Sequence, residues 1–198
     1  MARGKKKSQK IGRPKQGGVT IRIGRATAHG QLANDLVHVF VDDQNLFWGI
    51  VNDEYGHGFR IDFGRLLLEA AKGADGRTRG VGSAYIAGVI PDDDSFWQVV
   101  ENRGFTVRRG FLGTGNRSKQ DDAYLITDMT STLYEAPGPS TIVLVAGDAD
   151  YVPPLKRAVE KGWRTEVAFI GRGVSVALEP QTHEFRIMPP ATIEHVAM

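Results

Sequence analysis

The chain has 198 residues, 41% of them hydrophobic, with 25 lysines and arginines against 23 aspartates and glutamates and no cysteine. One substantial core is affordable and two are not. No run approaches the roughly 18 apolar residues of a membrane span or the apolar stretch of a secretory signal, so a soluble, cytoplasmic protein is expected. Disulfides, thiolate metal sites and cysteine nucleophiles are excluded, which leaves carboxylates and histidines as candidate metal ligands.

Positions 1–34 carry nine basic residues (Arg3, Lys5, Lys6, Lys7, Lys10, Arg13, Lys15, Arg22 and Arg25) and no acidic one. Removing those nine from 25 leaves 16 cations against 23 acidic residues from Asp35 onward, a balance of −7. The basic character therefore belongs to the arm, and the rest is acidic. We divide the chain into a flexible basic arm at 1–34 and a folded domain at 35–198. Residues 1–18 are too polar to offset the entropy of ordering and are expected to be disordered. Such an arm attracts polyanions, or it serves only as a solvated extension that aids solubility.

Val19 to Ile23 fits a short strand. Val37 to Val41 is an almost unbroken apolar run ending at Asp42, as expected of a strand covered on both faces of a parallel sheet. Apolar spacing at Phe63, Leu66, Leu67, Ala70 and Ala71 predicts a helix capped by Asp62 and ending near Lys72. There follow a strand over Gly82–Val89, a helix over Asp94–Asn102, a strand over Phe105–Arg109 and a helix over Asp121–Leu133. Pro137, Gly138 and Pro139 break the chain before an apolar strand at Thr141–Ala146, then a helix near Tyr151–Lys161 and a strand at Thr165–Ile170. Glu184–Ile187 is read as an added edge. Strands alternating with helices need crossover connections, which predicts one α/β domain: a mainly parallel central sheet, doubly wound, with helices on both faces.

In such a sheet ligands bind beyond the carboxyl ends of the strands. Asp42 follows one strand there, and Asp148 and Asp150 follow another. Carboxylates gathered at one rim repel unless a cation compensates them, which favours Mg²⁺ or Mn²⁺. Helix capping competes as an account of Asp150, with Pro153 and Pro154 in the first turn, but it explains only one of the two aspartates. Lys119-Gln120-Asp121-Asp122 opens a helix. One of its aspartates can cap while the other faces the rim, with Arg117 and Lys119 placed to touch phosphate. Asp128 lies roughly 240° around that helix from Asp122 and is taken as peripheral.

Three stretches resemble the NYN (LabA-like) branch of the PIN-like nucleases: Val39-Phe40-Val41-Asp42-Asp43-Gln44-Asn45, Lys119-Gln120-Asp121-Asp122, and Val143-Leu144-Val145-Ala146-Gly147-Asp148-Ala149-Asp150-Tyr151. The resemblance spans Leu36 to Ile187, and the combination is far more specific than any one motif. It implies a Rossmann-like, three-layer PIN fold and metal-dependent ribonuclease activity. Asp42, Asp122, Asp148 and Asp150 match the acidic, metal-binding positions, and Asn45 the adjacent polar one, which would orient a carboxylate or water. RNA, in single-stranded form, is the implied partner, with DNA as a second possibility. Two positions depart from the pattern: Ala146 replaces a hydroxyl residue before Gly-Asp, and Asp43 adds a charge beside Asp42. Neither removes a ligand.

Other signals are weaker. The loop Gly113-Thr114-Gly115-Asn116-Arg117-Ser118 could admit a phosphate backbone, but a lone G-x-G is a weak signal and more commonly marks a flexible loop. Phe47, Trp48 and Tyr55 follow Asp42 at a spacing that serves base stacking or, more commonly, a core. His29, His38, His57, His183 and His195 form no metal-ligand spacing. The rival functions are a catalytically weak RNA-binding or assembly module, a nucleotide-sugar transferase using Asp148-Ala149-Asp150 as its D-x-D, and an aspartyl-nucleophile phosphatase. The last requires a D-x-D after the first strand, where Asp42 is instead followed by Asp43-Gln44.

Overall fold

The computed structural model describes residues 20–24, 26, 32–52, 58–89, 94–112, 118–119, 121–170 and 173–195. Its centre is strand β2 (Leu36–Asp42), in which every residue from Val37 to Asp42 is buried. Burial on both faces is what an apolar run in a parallel sheet requires. β2 pairs in parallel with β3 (Gly80–Gly88) on one side and β7 (Thr141–Val145) on the other. Beyond β3 lies β4 (Thr106–Arg109); beyond β7 lie β8 (Arg164–Phe169) and β9 (Glu184–Ile187), all parallel. β1 (Thr20–Ile23) completes the seven-stranded sheet, antiparallel to β9. The predicted short strand thus forms, and β1 rather than β9 is the edge. A separate hairpin joins β5 (Phe111–Leu112) to β6 (Ser118–Lys119).

Alternate residues of β2 divide the core. Val37, Val39 and Val41 face helices α1 (Asp43–Asn52), α2 (Phe63–Ala71) and α3 (Ser95–Glu101), whereas Phe40 packs with α4 (Asp121–Glu135) and α5 (Val152–Glu160). The result is the expected three-layer α/β architecture with helices on both faces.

Helix α2 follows the prediction: the Asp62 side chain accepts a hydrogen bond from the Arg65 N–H at 3.1 Å, and Phe63, Leu66, Ala70 and Ala71 are buried. Helix α1 was not anticipated. It starts at Asp43 with no loop after β2, and it buries only Leu46, Gly49 and Ile50. Its apolar signal is further blurred by Phe47 and Trp48, which are 40% and 51% exposed, so Trp48 is not core. Gly49 admits the Phe169 ring, whose Cζ would lie 2.7 Å from an added Cβ. Packing on β8, rather than propensity, holds this helix.

At the C-terminal end of α2 lies a buried ionic network. Glu166 accepts from Arg79 at 2.7 and 2.9 Å, from Arg164 at 2.8 Å and from Arg186 at 3.0 Å. Arg186 also donates to the Ala70 carbonyl at 2.9 Å and to that of Lys72, closing the helix end. Burial alone would raise the Glu166 carboxyl; Arg79, then Arg186 and Arg164, outweigh it and leave the group below its ordinary value. Removing the carboxylate takes from Arg79 its ion-pair partner and leaves Glu184 alone to face both Arg164 and Arg186. Glu166→Gln should therefore cost about 3–5 kcal/mol in chemical denaturation, and a loss below about 1 kcal/mol would show that the network is not a structural necessity.

Candidate metal centre

The sheet changes direction between β2 and β7. From β2 the chain winds outward through β3 and β4, then returns to β7 on the other side and winds out through β8 and β9. Ligands in doubly wound sheets bind at this crevice, beyond the carboxyl ends of the strands. Val41 pairs with Val145, so Asp42 and the Ala146-Gly147-Asp148 turn leave the sheet side by side.

Asp42 is 3% exposed. Its Oδ1 accepts from the Asn45 N–H at 2.9 Å, and its Oδ2 accepts from the Tyr151 hydroxyl at 3.0 Å. The same hydroxyl lies 3.2 Å from Asp122 Oδ1. Asp121 and Asp122 occupy the first turn of α4, where the positive end of the helix dipole partly offsets their charge. Carboxylate oxygens of Asp42, Asp121 and Asp122 all lie within 4.8 Å of one another. Among the described residues this is the group of possible metal ligands that converges, and no histidine joins it.

The electrostatics follow from crowding. Burial, reinforced by Asp122 and Asp121 and opposed by the Asn45 and Tyr151 hydrogen bonds, raises Asp42 to about 7. Asp43, set against Gly88 with an ideal Cβ there only 2.8 Å from its own, is likewise raised to about 7, by burial and then Asp121. Asp122 is raised by burial, then by Asp121 and Asp148. Burial and the two carboxylates push the Tyr151 hydroxyl far above its usual range, so it keeps its proton. One phenolic proton cannot satisfy two carboxylates at once. Among the described residues no cation acts on Asp42 or Asp122, and a set of hard oxygen donors in that condition fits a hard divalent cation.

Asp148 is exposed; its Oδ1 accepts from the Asp150 N–H at 3.2 Å and so caps a short 3-10 helix, Ala149–Tyr151. Asp150 is exposed within that turn. The expected capping role thus falls to Asp148 rather than Asp150, because the chain makes a tight turn before α5 begins; the α5 cap position is Tyr151, with no side-chain cap bond. Asn45 Oδ1 accepts from the Gly147 N–H at 2.8 Å, so one residue stitches the start of α1 to the exit of β7. Gly147 is sterically required: an added Cβ would lie 2.9 Å from the Gly173 carbonyl oxygen and 3.0 Å from Val174 Cα.

The remaining predicted positions divide. Arg117 lies outside the described residues, as do His29, Tyr55, His57 and the loop at 113–117; Lys119 ends β6. Asp128 is indeed occupied elsewhere, receiving two hydrogen bonds of 2.8 Å from Arg108. His38 is buried, bonds Ser83 Oγ at 2.8 Å and is held below its ordinary pKa by burial. Two participants escaped the sequence argument. Asp121 and Asp122 both enter the cluster, where only one was expected to, and Tyr151 supplies the shared donor. A tyrosine directly after G-D-x-D was the available signal, since a buried phenol needs a partner.

A family model, the NYN domain, matches residues 36–188, and the chain belongs to that family, within the PIN-like nuclease superfamily. Its fold is similar to that of a solved protein of unknown function from Vibrio parahaemolyticus RIMD 2210633. The two are 17% identical with a TM-score of 0.63, over 84% of this chain and 100% of that one. No curated protein matches. Among the described residues no helix is long and apolar enough to cross a membrane.

The raised carboxyl of Asp42 fixes a sign. Unfolded, it loses its proton near pH 4; folded, it holds it to about pH 7. Folding stability should therefore fall as pH rises through that window and stay lower above it. Asp42→Asn removes the penalty. In chelator at pH 8 the variant should be more stable by at least about 1 kcal/mol, or ~2–4 °C in Tm, with the advantage shrinking toward pH 4. Calorimetry showing an equal or lower Tm at pH 8 would contradict the assignment.

Proposed function

We propose that this chain is a LabA-like ribonuclease that hydrolyses phosphodiester bonds in single-stranded RNA in the cytoplasm, with Mg²⁺ or Mn²⁺ held by Asp42, Asp122, Asp148 and Asp150. The observation that carries this reading is the convergence of Asp42, Asp121 and Asp122 at the switch point between β2 and β7.

The chain's own residues divide the work. Asp42 and Asp122 provide the buried side of the site, with Asp121 adding charge behind them. Tyr151 holds a proton against both, which fixes their orientation when that charge is compensated. Asp148 and Asp150, on the exposed turn, complete the ligand set from the solvent side, where substrate arrives. Asn45 ties that turn to Asp42, so that the two halves of the site move as one. Arg117 and Lys119, just before α4, contact the phosphate. When bound, the divalent ion supplies Lewis-acid polarisation and neutralises the charge that develops on the phosphate and leaving oxygen. Water adds to phosphorus as the P–O3′ bond breaks, leaving a 5′-phosphate and a 3′-hydroxyl.

End-labelled RNA and DNA, incubated with Mg²⁺, Mn²⁺ or chelator, provide the test. Wild type should cut RNA only with metal and leave 5′-phosphate ends, and Asp42→Asn and Asp148→Asn should each lose at least about 100-fold. Binding without cleavage, unchanged in Asp148→Asn, would replace the nuclease with an RNA-binding or assembly module. A 2′,3′-cyclic phosphate product would instead mean a metal-independent acid–base route.

Tyr151→Phe separates positioning from ligation. The ring stays in its pocket while the donor is lost, so metal affinity or activity should fall by about 10–100-fold with folding intact. Titration calorimetry of Mn²⁺ checks the first quantity, and an unchanged affinity together with unchanged activity would remove Tyr151 from the site.

A further inference from the structure

Asp42 ends β2 and also begins α1, because its Oδ1 accepts the Asn45 N–H and so caps the helix. The acidic cluster and α1 are therefore joined without a loop. The buried residues of α1 are Leu46, Gly49 and Ile50. At about 100° per residue, Trp48 lies roughly 200° around the helix from Leu46 and roughly 160° from Ile50, on the side away from the core. It is half-exposed there, about 9 Å along the helix axis from Asp42. A base seated on it would belong to the same short stretch of strand as a phosphate at the cluster.

The Phe47 ring meets the Trp48 indole at 74° with centroids 5.3 Å apart. This edge arrangement steadies the indole and covers at most one of its faces. Past Asp43, α1 carries no charge. An exposed indole on an uncharged helix face suits the flat face of a base better than it suits a phosphate or a charged peptide.

The surroundings call for a contact of that kind. A strand approaching this rim meets Asp42, Asp43, Asp121, Asp122, Asp148 and Asp150, and the arginines that end β4 at the same rim are already engaged: Arg108 by Asp128, and Arg109 by Asp94 and Glu101. A metal offsets charge at its ligands but not along the strand leading to them, whereas stacking on an aromatic face needs no counter-charge. We propose that Trp48 stacks on a base of single-stranded RNA and so seats the strand beside the acidic cluster. Duplex RNA, whose bases are already stacked on one another, has no free base face to offer. The proposal rests on the nucleic-acid reading of the site, though not on cleavage itself.

The chain has three tryptophans, and Trp97 and Trp163 are buried, so Trp48 is the one whose emission a bound base can quench. The test compares the full chain with its Trp48→Phe and Trp48→Ala variants, all carrying Asp42→Asn so that the RNA survives. Titration with an unlabelled single-stranded 20-nucleotide RNA should quench tryptophan emission, and Trp48→Phe should abolish that quenching. By fluorescence anisotropy with the same RNA carrying 5′-fluorescein, Trp48→Ala should bind at least about five-fold more weakly, with Trp48→Phe recovering most of the loss. The slope of log K against log salt should be the same in all three, since no phosphate contact is removed. An unchanged Tm shows that the fold is intact. RNA binding with no quenching, or with equal affinity in Trp48→Ala, would overturn the proposal. Equal quenching by duplex RNA would overturn it too, because no base face is then required. Cleavage is measured separately with Asp42 restored: quenching in a protein that never cuts RNA leaves this inference standing and removes the nuclease, and cleavage without quenching does the reverse.

Discussion

The parallel pairing of β2 with β7 is the constraint on which the site depends. The two strands are far apart in sequence, and no local interaction brings Asp42 to the Gly147-Asp148 turn. The sheet does it, because the chain returns past its first parallel strand before winding the other way. Asn45 then locks the junction, donating its backbone N–H to Asp42 and accepting that of Gly147. Loss of Gly147's narrow profile against Gly173 and Val174 would pry the same junction apart.

Two concentrations of buried charge occur in this domain, and they differ in kind. Around Glu166 the guanidinium groups of Arg79, Arg164 and Arg186 compensate the carboxylate and the end of α2 together, and Glu166 stays below its ordinary pKa. Around Asp42 no cation among the described residues takes that part: burial and neighbouring carboxylates raise Asp42, Asp43 and Asp122, and the donor between Asp42 and Asp122 is a neutral phenol. The first arrangement stabilises the fold. The second costs stability in the metal-free protein, and such strain is commonly kept where a ligand relieves it.

Most of the architecture was legible because the strands announce themselves. Runs such as Thr141–Val145, buried throughout, are short, rich in β-branched residues and preceded by Pro137, Gly138 and Pro139, which separates them from a buried helix, and Asp62 with the Phe63, Leu66 and Ala70 spacing marked α2. Helix α1 was hidden because a narrow buried stripe, a glycine and two exposed aromatics give no clear period. Strand-end position set Asp42 and Asp148 at one rim of the sheet, whereas periodicity could not show that Asp121 and Asp122 both reach the cluster around Asp42. That depends on how α4 leans over the end of β2. Tyr151, directly after G-D-x-D, reads in the sequence as a phenol in want of an acceptor, but which carboxylates supply it depends on residues distant in the chain. The capping logic was sound in kind but misplaced by two residues, because the 3-10 turn intervenes before α5.

The function proposed for this site requires that the carboxylates at the β2 and β7 rim hold a divalent ion. Anomalous diffraction from crystals of the protein equilibrated with Mn²⁺ tests this most directly. A manganese peak with oxygen ligands from Asp42 and Asp122, lost in Asp42→Asn, is the expected result. A fully soaked crystal with no peak at that rim, or with manganese bound only elsewhere, would contradict it.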